Sequence, residues 1–175
     1  MQFVVPSRSV GAESTIKRSY QDGVDKAVAD NAKARTLAVE SGSKSPSEIA
    51  RSWQGSGKYP GIDEYTDITV NKGSILYRGE PNGTEYFTTL DAIESSGRNA
   101  TTIFEGLQVE KNPIHGYRGE MQGYLFNEDV VSAYGITRAN PQFGKGGLPQ
   151  YFVPNVQDMI NRGALTPVDK IKLFK

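Results

Sequence analysis

The spacing of apolar positions changes character along the chain. Within residues 12–40, apolar side chains recur at spacings compatible with one face of a helix. They are Ile16, Tyr20, Val24, Val28 and Leu37, with alanines widening the stripe. Beyond residue 66, short β-branched or alternating runs separated by Gly, Pro and Asn replace this period. The pattern predicts an N-terminal helical segment followed by a domain rich in strands and turns.

A second, short helix is predicted to begin at residue 45. Ser45 offers an N-cap, Pro46 suits the first helical position and Glu48 stands where a capping box requires it. The segment leads into Ile49, Ala50 and Trp53, which is enough for one or two turns. Residues 41–44 (Ser-Gly-Ser-Lys) separate the two helices as a breaker or linker.

Several short strands are predicted in the second part. Residues 67–70 and 74–78 flank Asn71-Lys72-Gly73, a turn signal, so this pair predicts a hairpin. Further strands are predicted at residues 85–89, 123–126, 150–153 and 170–174, and short helices at residues 90–95 and 155–162. This mixture of short strands and short helices predicts the α+β class.

Aromatic residues and glycines place the boundary between the two parts. Phe3 and Tyr20 alone among the aromatics precede residue 53, as do only three of the 19 glycines. A hydrophobic core and a binding site both need these residue types, so we expect the core and the site in the second part. The chain is therefore divided into a helical segment, 1–52, and a catalytic domain, 53–175.

Charge and composition exclude several classes of protein. Lys plus Arg and Asp plus Glu are 20 each, so the chain lacks the positive field that favours nucleic acid. No cysteine is present, and His115 is the one histidine, which excludes thiolate chemistry and multi-histidine metal sites; no metal is expected. No apolar run is long enough to predict a membrane-spanning segment.

Three places carry candidate chemistry. Arg78, at the end of a strand and before a glycine, could hold a phosphate, or could be a solvated strand-end arginine. His115 and Arg118 lie in a turn-like run, where the histidine could be a general acid or base or an exposed loop residue. Residues 140–151 contain three glycines and two prolines and end at Gln150 and Tyr151, which favours a functional loop over a plain turn.

Three segments together resemble C-terminal toxin domains of bacterial polymorphic toxins, especially effectors of contact-dependent growth inhibition. They are residues 53–65, the strand pair from Tyr77-Arg78-Gly79 to Thr89, and residues 143–151. The last resembles the Phe-Gly-x-x-Gly-Gly-x-x-Gln-Tyr/Phe signature of NAD glycohydrolases of the tuberculosis-necrotizing-toxin type. That resemblance covers residues 53–175 and implies an ADP-ribosyltransferase-like fold, a split and mostly antiparallel sheet with a nicotinamide dinucleotide in its cleft.

The resemblance also implies roles for individual residues. Gln150 matches the glutamine that acts at the nicotinamide ribose, Arg78 matches a phosphate contact, and Arg118 loosely matches a second arginine. Thr88 falls where the wider superfamily has a Ser-Thr-Ser-like strand, and it is taken as the third catalytic residue. Substrate contacts are expected from Tyr77, Phe87, Thr89, Arg118, Phe143, Gly146 and Gly147. A Glu/Gln-x-Glu pair is missing, since Glu120-Met121-Gln122 has the reverse order, which favours hydrolysis over protein ADP-ribosylation.

The implied function is that of a toxin that hydrolyses NAD or NADP, as substrates rather than cofactors, in the cytoplasm of a target cell. The domain would be exported as part of a larger cell-surface effector, and residues 1–52 would be the remnant of a cell-entry module. Its expected partner is a cognate immunity protein. Two alternatives remain: a ribonuclease toxin using His115, Arg118, Thr88 and Lys145, and an adhesin or interaction module without enzymatic activity.

Overall fold

Antiparallel strand pairing dominates the part of the chain that this computed structural model describes, residues 44–175. Within it lie four short helices and seven strands. The helices are α1 (Pro46–Ser52), α2 (Leu90–Ser95), α3 (Ala100–Gly106) and α4 (Val156–Asn161). The strands are β1 (Thr66–Val70), β2 (Ile75–Glu80), β3 (Tyr86–Phe87), β4 (Glu120–Phe126), β5 (Val130–Ile136), β6 (Pro149–Phe152) and β7 (Leu165–Lys172). The predicted mixed α+β class with mostly antiparallel strands is confirmed.

The strands form two sheets that meet at one place. One sheet has the order β1-β5-β6-β3 and the other the order β2-β4-β7. Tyr77 of β2 and Thr88, just after β3, exchange backbone hydrogen bonds, with N–O distances of 2.9 and 2.7 Å. This bridge joins the edge strands of the two sheets, β2 and β3.

Two apolar clusters hold the layers together. One buries Phe87, Phe126 and Val156 between the sheets and α4. The other packs α2 and α3 against the three-stranded sheet, around Ile103 and Met121. Each such buried side chain contributes about 1.5–3 kcal/mol, so the clusters together fix the relative positions of the strands.

Local signals predicted the helix starts correctly. The Ser45 hydroxyl accepts from the backbone N–H of Glu48, whose carboxylate accepts from the N–H of Ser45 at 2.9 Å, which completes the predicted capping box. The short helices expected at residues 90–95 and 155–162 are α2 and α4. Helix α3 and strand β5 were not predicted.

The hairpin predicted around residues 71–73 is wrong. β1 pairs with β5 and β2 pairs with β4, so the two strands belong to different sheets. At the turn between them, the N–H of Gly73 bonds to the carbonyl of Phe126 at 2.7 Å, and the chain passes from one sheet to the other. Residues 71–73 do form a turn, but each of the two strands pairs with a strand more distant in sequence.

Helix α1 belongs to the folded domain. Ala50 is fully buried in a cluster with Tyr65, Ala133 and Phe152. The N–H of Ser47 donates to the Asp67 carboxylate at 2.7 Å. This helix, which precedes the boundary predicted at residue 53, therefore packs against the sheet; the division into residues 1–52 and 53–175 stays a prediction. The helix predicted within residues 12–40 lies outside the described residues.

No helix within residues 44–175 has the length and apolar character needed to cross a lipid bilayer.

Candidate functional site

A cleft of about 800 Å³ opens between the loop at residues 53–63, the loop at residues 81–86 and the segment at residues 104–119. A small pocket of about 30 Å³ adjoins it on the side of the core. Both are lined by Thr84, Tyr86, Phe104, Leu107, Val109, Arg118 and Gln150. The volume lies within the range of ligand sites, about 300–1,000 Å³.

Gln150 lies on the floor of this cleft. It is the second residue of β6, is buried, and its Oε1 accepts from the Tyr65 hydroxyl at 2.9 Å. Its Nε2 has no hydrogen-bond partner within residues 44–175. Gly135 lies opposite Gln150 in β5, and a Cβ there would come within 2.6 Å of the Glu64 carbonyl and 3.2 Å of the Tyr65 ring. Glycine at this position therefore lets Tyr65 reach the glutamine.

The buried Tyr65, the half-buried Tyr86 and the buried Asp63 lie around the floor. Burial raises the pKa of Tyr65 and of Tyr86, so both phenols stay protonated at neutral pH. The Asp63 carboxylate accepts from the backbone N–H groups of Arg138 and Ala139 at 2.7 and 2.8 Å. These contacts fix the loop that enters the glycine-rich segment, so the cleft wall is preorganised.

Arg78 lies at the small pocket rather than the large cleft, and each of its three guanidinium nitrogens donates one hydrogen bond within the fold. Nε donates to Glu80 at 2.7 Å, one terminal nitrogen to the Thr84 carbonyl at 3.0 Å and the other to the Tyr124 hydroxyl at 3.2 Å. The side chain is buried. It therefore ties strand β2 to the loop over the cleft, and its contact with phosphate stays a prediction.

The other residues expected near the strand pair serve the fold as well as the pocket. Thr88 is fully buried, and its hydroxyl donates to the Pro149 carbonyl at 2.7 Å. Tyr77 and Phe87 are buried, and with Thr88 they line the small pocket. Thr89 caps α2 by accepting from the N–H of Ala92, and it lines neither cavity.

The glycine-rich loop packs against the C-terminal end of α3. The N–H of Gly146 donates to the Glu105 carbonyl at 3.1 Å, and the N–H of Gly147 donates to the Thr137 carbonyl at 2.7 Å. The Phe143 ring packs on Tyr59 with 4.7 Å between centroids. None of these three loop residues lines the cleft, but the loop leads directly into β6, whose Gln150 does.

Arg118 and His115 lie on the outer part of the cleft. Arg118 donates from Nε to the Pro81 carbonyl at 2.9 Å and from a terminal nitrogen to the Asn82 carbonyl at 3.0 Å. His115 is exposed there. Thr88 is buried behind the cleft and Lys145 does not line it, so the four residues named for a ribonuclease are not brought together.

Sequence reasoning missed much of the cleft wall. Tyr65, Asp63 and Tyr86 were not named as site residues, although Asp63 and Tyr65 fall in a segment that carried the resemblance. Lys111 and Lys175 were missed too. The sequence signal for these residues was the density of aromatic and polar side chains in residues 53–65. Only the fold, however, brings Tyr65 to Gln150, which lies 85 positions away along the chain.

An α+β domain with a preorganised polar cleft is the architecture of a binding or catalytic domain. The sequence model for the Rhs1 C-terminal toxin domain matches residues 42–155. The chain belongs to this family, so it is a toxin domain of the Rhs type.

One solved structure supports this assignment. The chain is similar to Rhs1-CT, solved in complex with its cognate immunity protein RhsI1, with a TM-score of 0.68 and 27% identity over 75% of this chain and 98% of that one. The chain is more weakly similar to Tse6, solved in complex with Tsi6. That match has a TM-score of 0.44 and 15% identity, over 86% of this chain and 97% of that one. No curated protein matches the chain.

Proposed function

We propose that this toxin domain hydrolyses NAD(P)+ to nicotinamide and ADP-ribose or its phosphate. The observation that carries the proposal is the buried amide of Gln150. It is held by Tyr65 on the floor of a cleft of dinucleotide size, with cationic side chains on the outer wall. An ADP-ribosyltransferase-like arrangement fits two antiparallel sheets that are joined at their edge strands by the bridge between Tyr77 and Thr88.

The reaction needs orientation more than acid catalysis. Water attacks C1′ of the nicotinamide ribose as the C1′–N bond breaks. The bonding electron pair neutralises the pyridinium ring, and the water loses one proton to solvent. Because nicotinamide leaves as a neutral base, the site must hold the substrate and stabilise the positive charge that develops on the ribose.

Residues that line the two cavities perform these tasks. Gln150, whose Oε1 accepts from the Tyr65 hydroxyl, contacts the ribose and orients the water. Tyr86 provides an aromatic surface beside it. Arg118 lines both cavities and is the first proposed contact of the diphosphate. Arg78, which lies at the small pocket, is the second proposed contact. Thr88 supports the floor through its bond to Pro149.

The biological setting follows from the family and the solved complex. We propose that the domain travels as part of a larger effector into a target cell, where it drains the dinucleotide pool. The producing cell then needs a cognate immunity protein, as the complex of Rhs1-CT with RhsI1 illustrates for that toxin.

Release of nicotinamide from NAD and NADP by the purified chain tests the proposal. Gln150→Ala should lower kcat about a hundredfold, the cost of losing one preorganised contact in the transition state. Gln157→Ala is the matched control, since Gln157 is an exposed glutamine on α4 that bonds only to Asn161. Near-normal turnover in a folded Gln150→Ala variant would contradict the mechanism, and no hydrolysis of either dinucleotide by the unmodified chain would contradict the function.

A further inference from the structure

Three cationic side chains on the cleft wall have no carboxylate partner within residues 44–175. The charged side chains that line the cleft are Lys58, Lys111, Arg118, Lys175, Asp63 and Glu110. Glu110 pairs with Lys58 at 3.0 Å, and Asp63 is occupied by backbone N–H groups and Gln54. In a chain with a formal net charge of zero, the cleft therefore carries a local excess of positive charge from Lys111, Arg118 and Lys175.

Two of these side chains, Lys111 and Lys175, contact Tyr117, and we call these three residues the Tyr117 cluster. Lys111 Nζ lies 5.5 Å from the Tyr117 ring centroid, and Lys175 Nζ donates to the Tyr117 carbonyl at 2.9 Å. Arg118 is the next residue along the chain. The ring itself stacks on Phe104, with 5.7 Å between centroids and 24° between planes. An apolar wall and a set of lysines thus lie side by side.

The cluster and Gln150 lie toward different parts of the cleft. Lys111, Tyr117 and Lys175 line the large cleft alone, whereas Gln150 and Arg118 also line the small pocket next to the core. A dinucleotide with its nicotinamide ribose at Gln150 and its diphosphate at Arg118 therefore directs its adenosine toward Tyr117.

We infer that the Tyr117 cluster binds a phosphate on the adenosine ribose, so that the cleft prefers the 2′-phosphorylated dinucleotide. The inference rests on the proposed function. The diphosphate of NAD carries two negative charges, which Arg118 and one further cation balance. A 2′-phosphate adds about −1.5 to −2 at pH 7. Lysine ammonium groups suit such a terminal phosphate as point charges, and Lys111 and Lys175 supply two of them.

Binding of nucleotides that contain no nicotinamide tests the inference on the full chain. By calorimetry, adenosine 2′,5′-bisphosphate should bind at least about tenfold more tightly than adenosine 5′-monophosphate. Lys111→Met with Lys175→Met should remove this preference. Lys72→Met with Lys145→Met is the matched control, because both lysines are exposed and neither lines the cleft. Equal affinities in the unmodified chain, or a preference that survives the first double variant, would overturn the inference.

Kinetics give a second, distinguishable readout. The ratio of kcat/KM for NADP to that for NAD should fall by about tenfold or more in the Lys111→Met/Lys175→Met variant and stay constant in the control. If the chain hydrolyses NAD but the ratio does not depend on these lysines, the inference fails while the proposed function stands. If neither dinucleotide is hydrolysed, the proposed function fails, and the binding comparison still decides on the phosphate site.

Discussion

Arg78 shows how one side chain can serve both the fold and a site. Glu80, its ion-pair partner at 2.7 Å, also accepts from the N–H of Gly83 at 3.1 Å and from the Tyr124 hydroxyl at 3.3 Å. The pair thus holds the loop that covers the small pocket. Its side chains are only 10% and 20% exposed, so water screens the pair poorly.

Arg78→Ala should therefore destabilise the fold as well as weaken any phosphate contact. Leaving the half-buried Glu80 without its ion-pair partner should cost up to about 3 kcal/mol, whereas Arg78→Ala with Glu80→Ala should cost less than the sum of the two single variants. Urea unfolding measures each. Arg162→Ala is the control, because the Arg162–Glu128 pair is about half exposed and its loss should matter far less. Strict additivity would show that the two side chains do not act together.

The site could be predicted from sequence only where one residue carries the signal. Gln150 stands in a recognisable loop motif, so it could be named. Tyr65 could not, because its contact with Gln150 depends on β1 pairing with β5 and β5 with β6. No local pattern encodes a contact that two strand registers produce.

Among the elements, those fixed by short-range chemistry were predictable. A capping box acts over three residues, so α1 could be predicted from Ser45 and Glu48 alone. Strand partners depend on the whole chain, and the predicted hairpin failed for that reason. The glycine-rich loop could be located, but its role in packing on α3 depends on backbone atoms that no motif reveals.

Gly146 and Gly147 differ in how closely the rest of the protein packs around them. Both have positive φ, +69° and +96°, so a side chain strains either. A Cβ at Gly146 would also collide with the Thr137 carbonyl and lie 2.8 Å from Gln108 Nε2, whereas nothing lies within 4 Å of one at Gly147. Gly146→Ala should therefore lower the free energy of unfolding by about 1–3 kcal/mol more than Gly147→Ala. Equal losses in thermal or urea unfolding would contradict the packing described for the loop.

At the scale of the whole molecule, the cleft depends on packing far from it. Arg51 of α1 donates to the Tyr65 carbonyl at 2.7 Å, and Ala50 packs in the same buried cluster as Tyr65. Tyr65 then holds Gln150. Composition predicted the α+β class, but it placed the boundary at residue 53 because α1 contains few aromatics and no glycine. The helix nevertheless supports the floor of the cleft.

The buried tyrosines make the stability of the molecule depend on alkaline pH. An unfolded chain releases its tyrosine protons near pH 10. Because burial raises the pKa of Tyr65 and Tyr86 above that value, the folded chain keeps those protons. The unfolded state then binds fewer protons, so stability is fully present below pH 10 and falls above it, by up to about 1.4 kcal/mol per pH unit for each tyrosine.

Substituting the tyrosines should flatten this alkaline loss. Tyr65→Phe and Tyr86→Phe each remove one group that ionises more readily in the unfolded chain, and the double variant removes both. The measurement is the free energy of unfolding from urea titrations at a series of pH values between about pH 8 and pH 11. This range spans the pKa of tyrosine in an unfolded chain, near which the slope of that free energy against pH begins to change. The lost bond between Tyr65 and Gln150 lowers stability at every pH and so leaves the slope unaffected. Parallel curves for the unmodified chain and the double variant would show that these phenols ionise equally well folded and unfolded, which is incompatible with a buried floor beneath the cleft.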